Sequence, residues 1–185
     1  MKTQTTRNES DSFGSVEIES DALWGAQSQR SLDNFSIGHQ TFPPEFIYAF
    51  ALVKKAAAKV NCDLRLLDKE RANLIYQACD EILAGQHSRQ FPLSVWQTGS
   101  GTQTNMNLNE VIANRGNQIA GSELGDKQPL HPNDHVNLSQ SSNDVFPTVM
   151  HVTTATLLAK KLFPAIATLK STLRQKAADF SKEIK

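Results

Sequence analysis

The 185 residues predict a mainly α-helical protein with a short β segment near the N-terminus. Three observations carry this. Apolar residues recur every three or four positions through most of the chain beyond Pro44, which is the helical period. Proline, aspartate and glycine stand where helices start and stop. One short stretch, FGSVEIE at 13–19, alternates apolar and polar as a strand does.

Taken in order, residues 1–12 read as disordered and 13–19 as the strand. Pro43-Pro44 opens the first long helix, since proline suits a first turn. Its apolar residues Phe46, Ala49, Phe50, Val53, Ala57 and Val60 predict one buried stripe. Asp68 caps a second helix with Ala72, Ile75, Cys79, Ile82 and Leu83 inside, and Gly85 stops it. A third begins near Thr102, buries Val111, Ile112 and Ile119, and ends near Gly121. Residues 121–140 read as loop. From Ser142 onward two helical segments are expected, broken or kinked at Phe163-Pro164. In the second, Ile166, Leu169, Leu173, Phe180 and Ile184 form a heptad-like seam, the pattern of a helix bundle.

Composition narrows the function classes. Lys+Arg and Asp+Glu are both 19, so the formal net charge is zero. That balance gives no electrostatic case for nucleic acid or an anionic membrane. No apolar run is expected to reach the roughly 20 residues of a membrane span. The N-terminus, MKTQTTRNESDSFG, lacks the apolar core of a signal peptide. Cys62 and Cys79 read as free thiols, not as a disulfide framework or a metal pair. A cytoplasmic protein is the expectation.

The polar stretches point to chemistry. QTGSGTQTNMNLNE at 97–110 holds five amides, Gln97, Gln103, Asn105, Asn107 and Asn109, and only Met106 and Leu108 are large and apolar. Amides and hydroxyls make walls for a small polar ligand. Gly99-Ser100-Gly101-Thr102 stands directly ahead of a helix, whose first N–H groups are unpaired and whose dipole favours an anion. It is not a phosphate-binding P-loop, because Gly-Lys-[Ser/Thr] is missing. A plain capped turn is the alternative. Ser139-Gln140-Ser141-Ser142-Asn143-Asp144 stands ahead of the next helix, and one cap would suffice there. Two such helix starts brought together would hold a dianion at both ends, a dicarboxylate being the simplest.

His131-Pro132-Asn133-Asp134-His135 has metal-ligating residue types at poor spacing, and reads as a hydrogen-bonded turn in preference to a metal site. No Gly-x-Ser-x-Gly elbow or Cys-His pair is present, so the residues themselves show no catalytic acid and base.

At these same places the sequence resembles a known family. GSGTQTNMNLNEVIANR, HPNDHVNLSQSSNDVFPTVMH and ALWGAQSQRSLDNF are similar to class II fumarate hydratase, of the fumarase/aspartase superfamily, over nearly all of the chain after residue 12. Aspartases tend to carry Ala-Gly-Thr-Ser, Asn-Pro-Asn-Asp and Ser-Thr-Asn-Asp at the three places. Here stand Ser100-Gly101-Thr102-Gln103, His131-Pro132-Asn133-Asp134 and Ser141-Ser142-Asn143-Asp144, which favour fumarase.

The resemblance implies reversible hydration of fumarate to L-malate through a carbanion held as an aci-carboxylate, without metal or cofactor. Ser100, Gly101, Thr102, Ser141, Ser142 and Asn143 would line the substrate site. His131, Pro132, Asn133 and Asp134 match a second, non-catalytic anion site. That site is expected to be weaker here, because the basic residue usual shortly before the histidine is replaced within Asp126-Lys127-Gln128-Pro129-Leu130. The implied domains are an N-terminal lyase domain over 13–138 and, over 139–185, the first long helices of a fumarase/aspartase-type central bundle. The implied assembly is a homotetramer formed through that bundle. The family's Gly-Arg-Thr-His motif would follow Lys185, and its Gly-Ser-Ser loop bearing the serine base lies further on. The expectation is therefore the N-terminal portion of a fumarase, inactive alone. An aspartase-type fragment and a non-catalytic helical module that binds anions or assembles remain the alternatives.

Overall fold

A computed structural model describes residues 5–184. The chain divides into two compact units, Met1–Val149 and Met150–Lys185. The division falls later than the expected boundary at 138/139. The reason is that the first turns of the helix from Ser142 bury Val145 and Val149 inside the first unit.

The first unit opens with an antiparallel hairpin, β1 (Thr6–Asp11) and β2 (Gly14–Glu19), in register from Thr6 opposite Glu19 to Asp11 opposite Gly14. β2 is the predicted strand. β1 corrects the expectation of disorder over 1–12, of which residues 1–4 lie outside the described residues. TRNESD has no apolar residue to signal a strand, and polar pairing holds it instead. Arg7 donates to Glu9 Oε1, to the Glu19 carbonyl at 2.8 Å and to the Trp24 carbonyl at 2.9 Å. Asp11 takes both ends of the Arg30 guanidinium at 2.9 and 3.0 Å, which holds its carboxyl below the usual range.

Four helices follow: α1 (Ala26–Asn34), α2 (Pro44–Asp63), α3 (Lys69–Leu83) and α4 (Thr102–Ile119). α2 packs on α3, α3 on α4, and α1 on both α4 and the hairpin. The predicted starts hold. Pro44 begins α2, and Asp68 caps α3 by accepting the Arg71 N–H at 2.8 Å. The first half of the α2 stripe is the predicted one, with Phe46, Ala49 and Phe50 buried. Beyond it the inner face runs instead through Ala51, Lys54, Ala58 and Asn61, while Val53 and Ala57 are half-buried and Val60 is exposed. Lys54 and Asn61 sit inside because both find oxygens there: Asn137 and Gln140 for Lys54, and the Leu138 carbonyl at 2.9 Å for Asn61.

α4 is buried on nearly every side from Thr104 to Asn117. A helix so placed can carry polar residues only if each has a partner, and its asparagines reach irregular backbone. Asn107 donates to the Gln90 carbonyl, Asn114 to the Leu23 carbonyl and Asn117 to the Leu130 carbonyl, at 2.9–3.1 Å. Glu110 accepts the Gly25, Gln27 and Ser28 N–H groups at 2.9, 2.9 and 3.1 Å, and so serves as the cap of α1 from across the core. Gly25 is required at that approach, since a Cβ there would fall 2.9 Å from Glu110 Cδ.

α5 (Ser142–Leu157) begins in the first unit. The second unit continues through a π-helical turn, Leu158–Leu162, into α6 (Phe163–Asp179). The expected break at Phe163-Pro164 is instead this turn, with helical dihedrals at Leu162 and Phe163. Widening the turn accommodates the ring and the missing N–H of Pro164. Leu162, Phe163, Ile166, Leu169, Leu173 and Phe180 are exposed. The helical run Ser142–Asp179 spans 38 residues and contains an 18-residue window of mean hydropathy 1.2, enough by length and composition to cross a membrane. That differs from the expectation of no such run. Lys160, Lys161, Lys170, Arg174 and Lys176 interrupt its apolar side chains, which is the pattern of a seam with a charged face.

Candidate functional site

The N-termini of α4 and α5 meet in the first unit. Thr102 Oγ1 and Ser142 Oγ lie 3.1 Å apart, forty residues apart in sequence. An aromatic cluster holds the two ends together. Phe146 of α5 packs edge-on against Phe42 and Phe46, with centroids 5.7 and 5.3 Å away, and lies 6.4 Å from Phe50. Phe146 also closes on the α4 entry, where Gly101 has φ +69°, and a Cβ on Gly101 would fall 2.2 Å from Phe146 Cγ. Both the left-handed backbone and the close approach require glycine.

Ser100 and Thr98 extend the contact into a row of hydroxyls. Thr98 Oγ1 to Ser100 Oγ is 3.0 Å, and Ser100 Oγ to Thr102 Oγ1 is 3.1 Å. Thr98 also donates to Gln103 Oε1 at 2.6 Å. At α4, Gln97 caps the third residue, accepting the Thr104 N–H at 3.1 Å, and the Gln103 N–H has no hydrogen bond among the described residues. At α5, Ser141 is the cap, accepting the Asn143 N–H at 3.3 Å. One residue of the six therefore performs the capping. The Asn143 side chain is exposed and has no hydrogen bond among the described residues, which leaves an amide available at a helix start.

The structure thus brings Ser100, Gly101, Thr102, Ser141, Ser142 and Asn143 to one place. The cluster can offer hydroxyl, amide and backbone N–H donors and two helix dipoles to an anion. None of these groups exchanges a proton near neutral pH. Beside Thr102 and Gln103 opens a cleft of about 240 Å³, lined also by Gln27, Arg30, Ser31 and Phe35. Arg30 was not among the residues expected at the site, and its charge is already engaged by Asp11.

The amides of 97–110 serve differently from the expectation that they form ligand walls. Gln97, Asn105, Asn107 and Asn109 bind other parts of the fold, and Gln103 remains at the cleft. Burial of α4 explains this: amides on its faces are the available partners for the connectors that cross it.

The His131–His135 segment is a hydrogen-bonded turn built on the π-helical residues Pro132–Val136. His135 Nδ1 accepts the His131 N–H at 2.8 Å, and His131 Nδ1 accepts the Asp134 N–H at 3.2 Å. Burial pushes the His135 imidazole below its ordinary value. No group of three or more metal-ligating side chains occurs among the described residues. His131, Pro132 and Asn133 line a cavity of about 40 Å³ together with Lys127, Asn114 and Glu110, whereas Asp134 is exposed outside it. Lys127, whose stretch was expected to weaken an anion site, therefore reaches the same cavity, with its Nζ on the Ser10 carbonyl at 2.5 Å. The volume suits water better than a four-carbon dianion.

One buried cation was not foreseen. Lys54 lies behind the 137–142 connector, with Nζ 3.0 Å from both Asn137 Oδ1 and Gln140 Oε1. The signal was available: Ile47, Lys54 and Asn61 stand seven apart on one helix face.

Comparison with known proteins agrees over almost the whole chain. The family model described as Lyase matches residues 14–185. A class II fumarate hydratase of Pseudomonas aeruginosa is 57% identical over 180 residues, covering 97% of this chain and 39% of the relative. That of Thermosynechococcus vestitus is 57% identical over 183 residues, covering 99% and 39%. Among solved structures, a class II fumarase from Schistosoma mansoni superposes with a TM-score of 0.91 at 42% identity, covering 95% of this chain and 37% of that one. A fumarate lyase:delta crystallin from Brucella melitensis also superposes with a TM-score of 0.91, at 41% identity, covering 96% and 41%. The chain spans about two-fifths of the length of the curated relatives it matches.

Proposed function

The chain belongs to the lyase family, and from that premise we propose that it is the N-terminal portion of a class II fumarate hydratase, contributing one wall of the site that interconverts fumarate and L-malate. The observation that carries this reading is the meeting of two helix N-termini at Thr102 and Ser142, 3.1 Å apart, with four further polar or glycine residues beside them.

Hydration adds hydroxide to one alkene carbon and a proton to the other. Between these steps the electron pair resides on the second carbon and delocalises into its carboxylate as an aci-carboxylate, so that group gains charge. Donors aimed at it in advance lower the barrier. Ser100, Thr102, Ser141, Ser142, Asn143 and the N–H groups next to Gly101 fill that role. None of these six residues is hydrogen-bonded to a titratable side chain that could activate it among the described residues, so the proton donor and acceptor are assigned elsewhere. The 185-residue chain alone is therefore inactive. Residues 139–185 form the start of a bundle whose exposed Ile166, Leu169 and Leu173 self-associate in a cytoplasmic homotetramer. His131, Pro132, Asn133 and Asp134 form a second anion site of low affinity.

Fumarate absorbance tests the reading. The full-length protein consumes fumarate and the 185-residue chain does not. Deamination of aspartate without hydration of fumarate by the full-length protein would assign it to the aspartases instead. Sustained turnover by the short chain would refute its inactivity.

A further inference from the structure

The inner face of α2 carries a cation where an apolar side chain would pack at less cost. Lys54 is 0% exposed, and the groups around its ammonium are neutral. Its Nζ donates to two side-chain amide oxygens and lies 5.8 Å from the centroid of the Phe50 ring. No carboxylate pairs with it among the described residues. A buried, unpaired ammonium is costly, and a methionine of similar length would avoid that cost. Stability alone does not account for a charge here.

The contacts lead from Lys54 to the candidate site. With their oxygens drawn to Lys54, the amides of Asn137 and Gln140 turn their nitrogens onto the connector. Asn137 Nδ2 donates to the Gln140 carbonyl at 3.1 Å. Gln140 Nε2 donates to the Val136 and Leu138 carbonyls at 2.9 and 3.1 Å. The connector then turns at Ser139, which has φ +60°, and enters α5 through Ser141 and Ser142. From α4, Asn105 and Asn109 donate to the same Asn137 oxygen at 3.0 and 3.2 Å. Their own side-chain oxygens are buried without partners, leaving negative partial charge in this pocket of amides.

We propose that Lys54 is a positioning residue of the dicarboxylate site: its ammonium fixes the amides that shape the 139–142 turn, and its unneutralised charge adds to the field met by a dianion at Thr102 and Ser142. This rests on the substrate assignment above. Burial lowers the ammonium to about 7. The titratable group facing it is Cys79 of α3, which burial pushes up to about 12 and so keeps neutral. α4 and the connector present amides, and α2 presents the Phe50 ring. Lys54 is therefore charged below about pH 7 and loses its charge above it. A dianion nearby favours the charged form, so binding weakens as pH rises and takes up a proton on the alkaline side.

The test uses the full-length protein, with KM and kcat for fumarate measured from pH 6 to 9. In the wild type, KM rises by about tenfold across this range, the change expected if the ligand raises the ammonium by about one pH unit. Lys54→Met holds KM at the high value at every pH, with kcat less affected. Lys54→Arg keeps the low KM without the pH dependence. A Lys54→Met enzyme with the wild-type KM and pH profile would overturn the proposal. If that variant does not fold, calorimetry of succinate binding to the wild type at pH 8, in two buffers of different ionisation enthalpy, decides the matter: proton uptake supports the role and its absence refutes it. A wild type that binds succinate with proton uptake but does not hydrate fumarate would fail the functional reading and leave the Lys54 assignment standing.

Discussion

Gly101→Ala is the sharpest test of how the two helix ends are joined. The substitution introduces two separate penalties. At φ +69° an L side chain is strained, which costs about 1–2 kcal/mol. The new Cβ would also stand 2.2 Å from Cγ and 2.3 Å from Cδ2 of Phe146, against an ordinary contact of about 3.5–4 Å. Relieving that overlap means moving a ring packed against Phe42 and Phe46, and overpacking of this kind costs about 1–3 kcal/mol. The expected total is about 2–5 kcal/mol. Urea unfolding followed by far-UV circular dichroism measures it as a lower midpoint at unchanged slope. Phe146→Ala separates the two contributions. In that background the overlap is gone, so Gly101→Ala costs only the backbone share, and the double-mutant cycle gives a coupling of about 1–3 kcal/mol. A loss below about 0.5 kcal/mol for the single mutant, or an equal loss in both backgrounds, would refute the close approach of α5 to the α4 entry.

Other consequences are as direct. Asn143→Ala in the full-length enzyme raises the barrier by about 3 kcal/mol, seen in kcat/KM, and lowers stability by less than about 1 kcal/mol because Ser141 is the cap. Equal turnover would remove Asn143 from the site. Glu110→Gln costs about 2–4 kcal/mol in urea unfolding, since an amide replaces one of the oxygens that together accept three N–H groups; a neutral effect would show that α1 is held another way. Arg115, bonded to Glu81 at 2.6 and 2.8 Å, and next His87 hold the Glu81 carboxyl below its ordinary value. A lowered carboxylate contributes stability above its unfolded pKa and loses it as pH falls through the folded one. The melting temperatures of wild type and Glu81→Gln therefore differ at pH 7 and converge toward pH 3; a constant gap would refute the ion pairing. Cys79, fully buried with its thiol pushed up to about 12, stays unreactive to a thiol reagent in the folded chain, while the partly exposed Cys62 reacts. Two equally fast thiols would contradict this packing.

Helix positions were legible because periodicity and punctuation agreed: Pro44, Asp68 and Gly85 stand at real helix ends. The strand at 6–11 was not legible. Its own Arg7 and Asp11 anchor it, to the Glu19 and Trp24 carbonyls and to Arg30, and a period-2 search looks for apolar side chains. The second half of the inner face of α2 was misread for a related reason, whereas Phe46, Ala49 and Phe50 were placed correctly. Placing Ala57 and Val60 inside follows from hydrophobicity, yet Lys54 and Asn61 have oxygens waiting for them on chain segments some eighty residues away. No local pattern reports a partner at that distance.

The polar stretch at 97–110 shows the same limit from the other side. Its amides suggested a binding wall, and most of them instead hold the fold together: Asn105 and Asn109 reach Asn137, and Asn107 reaches the Gln90 carbonyl. These two uses are connected. A site made from two helix entries has no sheet to fix it, and its hydroxyls must be held within tenths of an ångström to act on a developing charge. Asn137 receives Asn105 and Asn109 from the helix that begins at Thr102 and Lys54 from α2, and it binds the Gln140 carbonyl just ahead of Ser142. The buried amides thus tie the α4 entry to the α5 entry through one side chain. Asn137→Leu, which keeps the volume and removes every one of these bonds, is expected to disturb the register of Thr102 and Ser142, lowering kcat/KM in the full-length enzyme by more than its loss of stability explains. If activity per folded molecule were unchanged, the amide cluster would be a core feature with no bearing on the site.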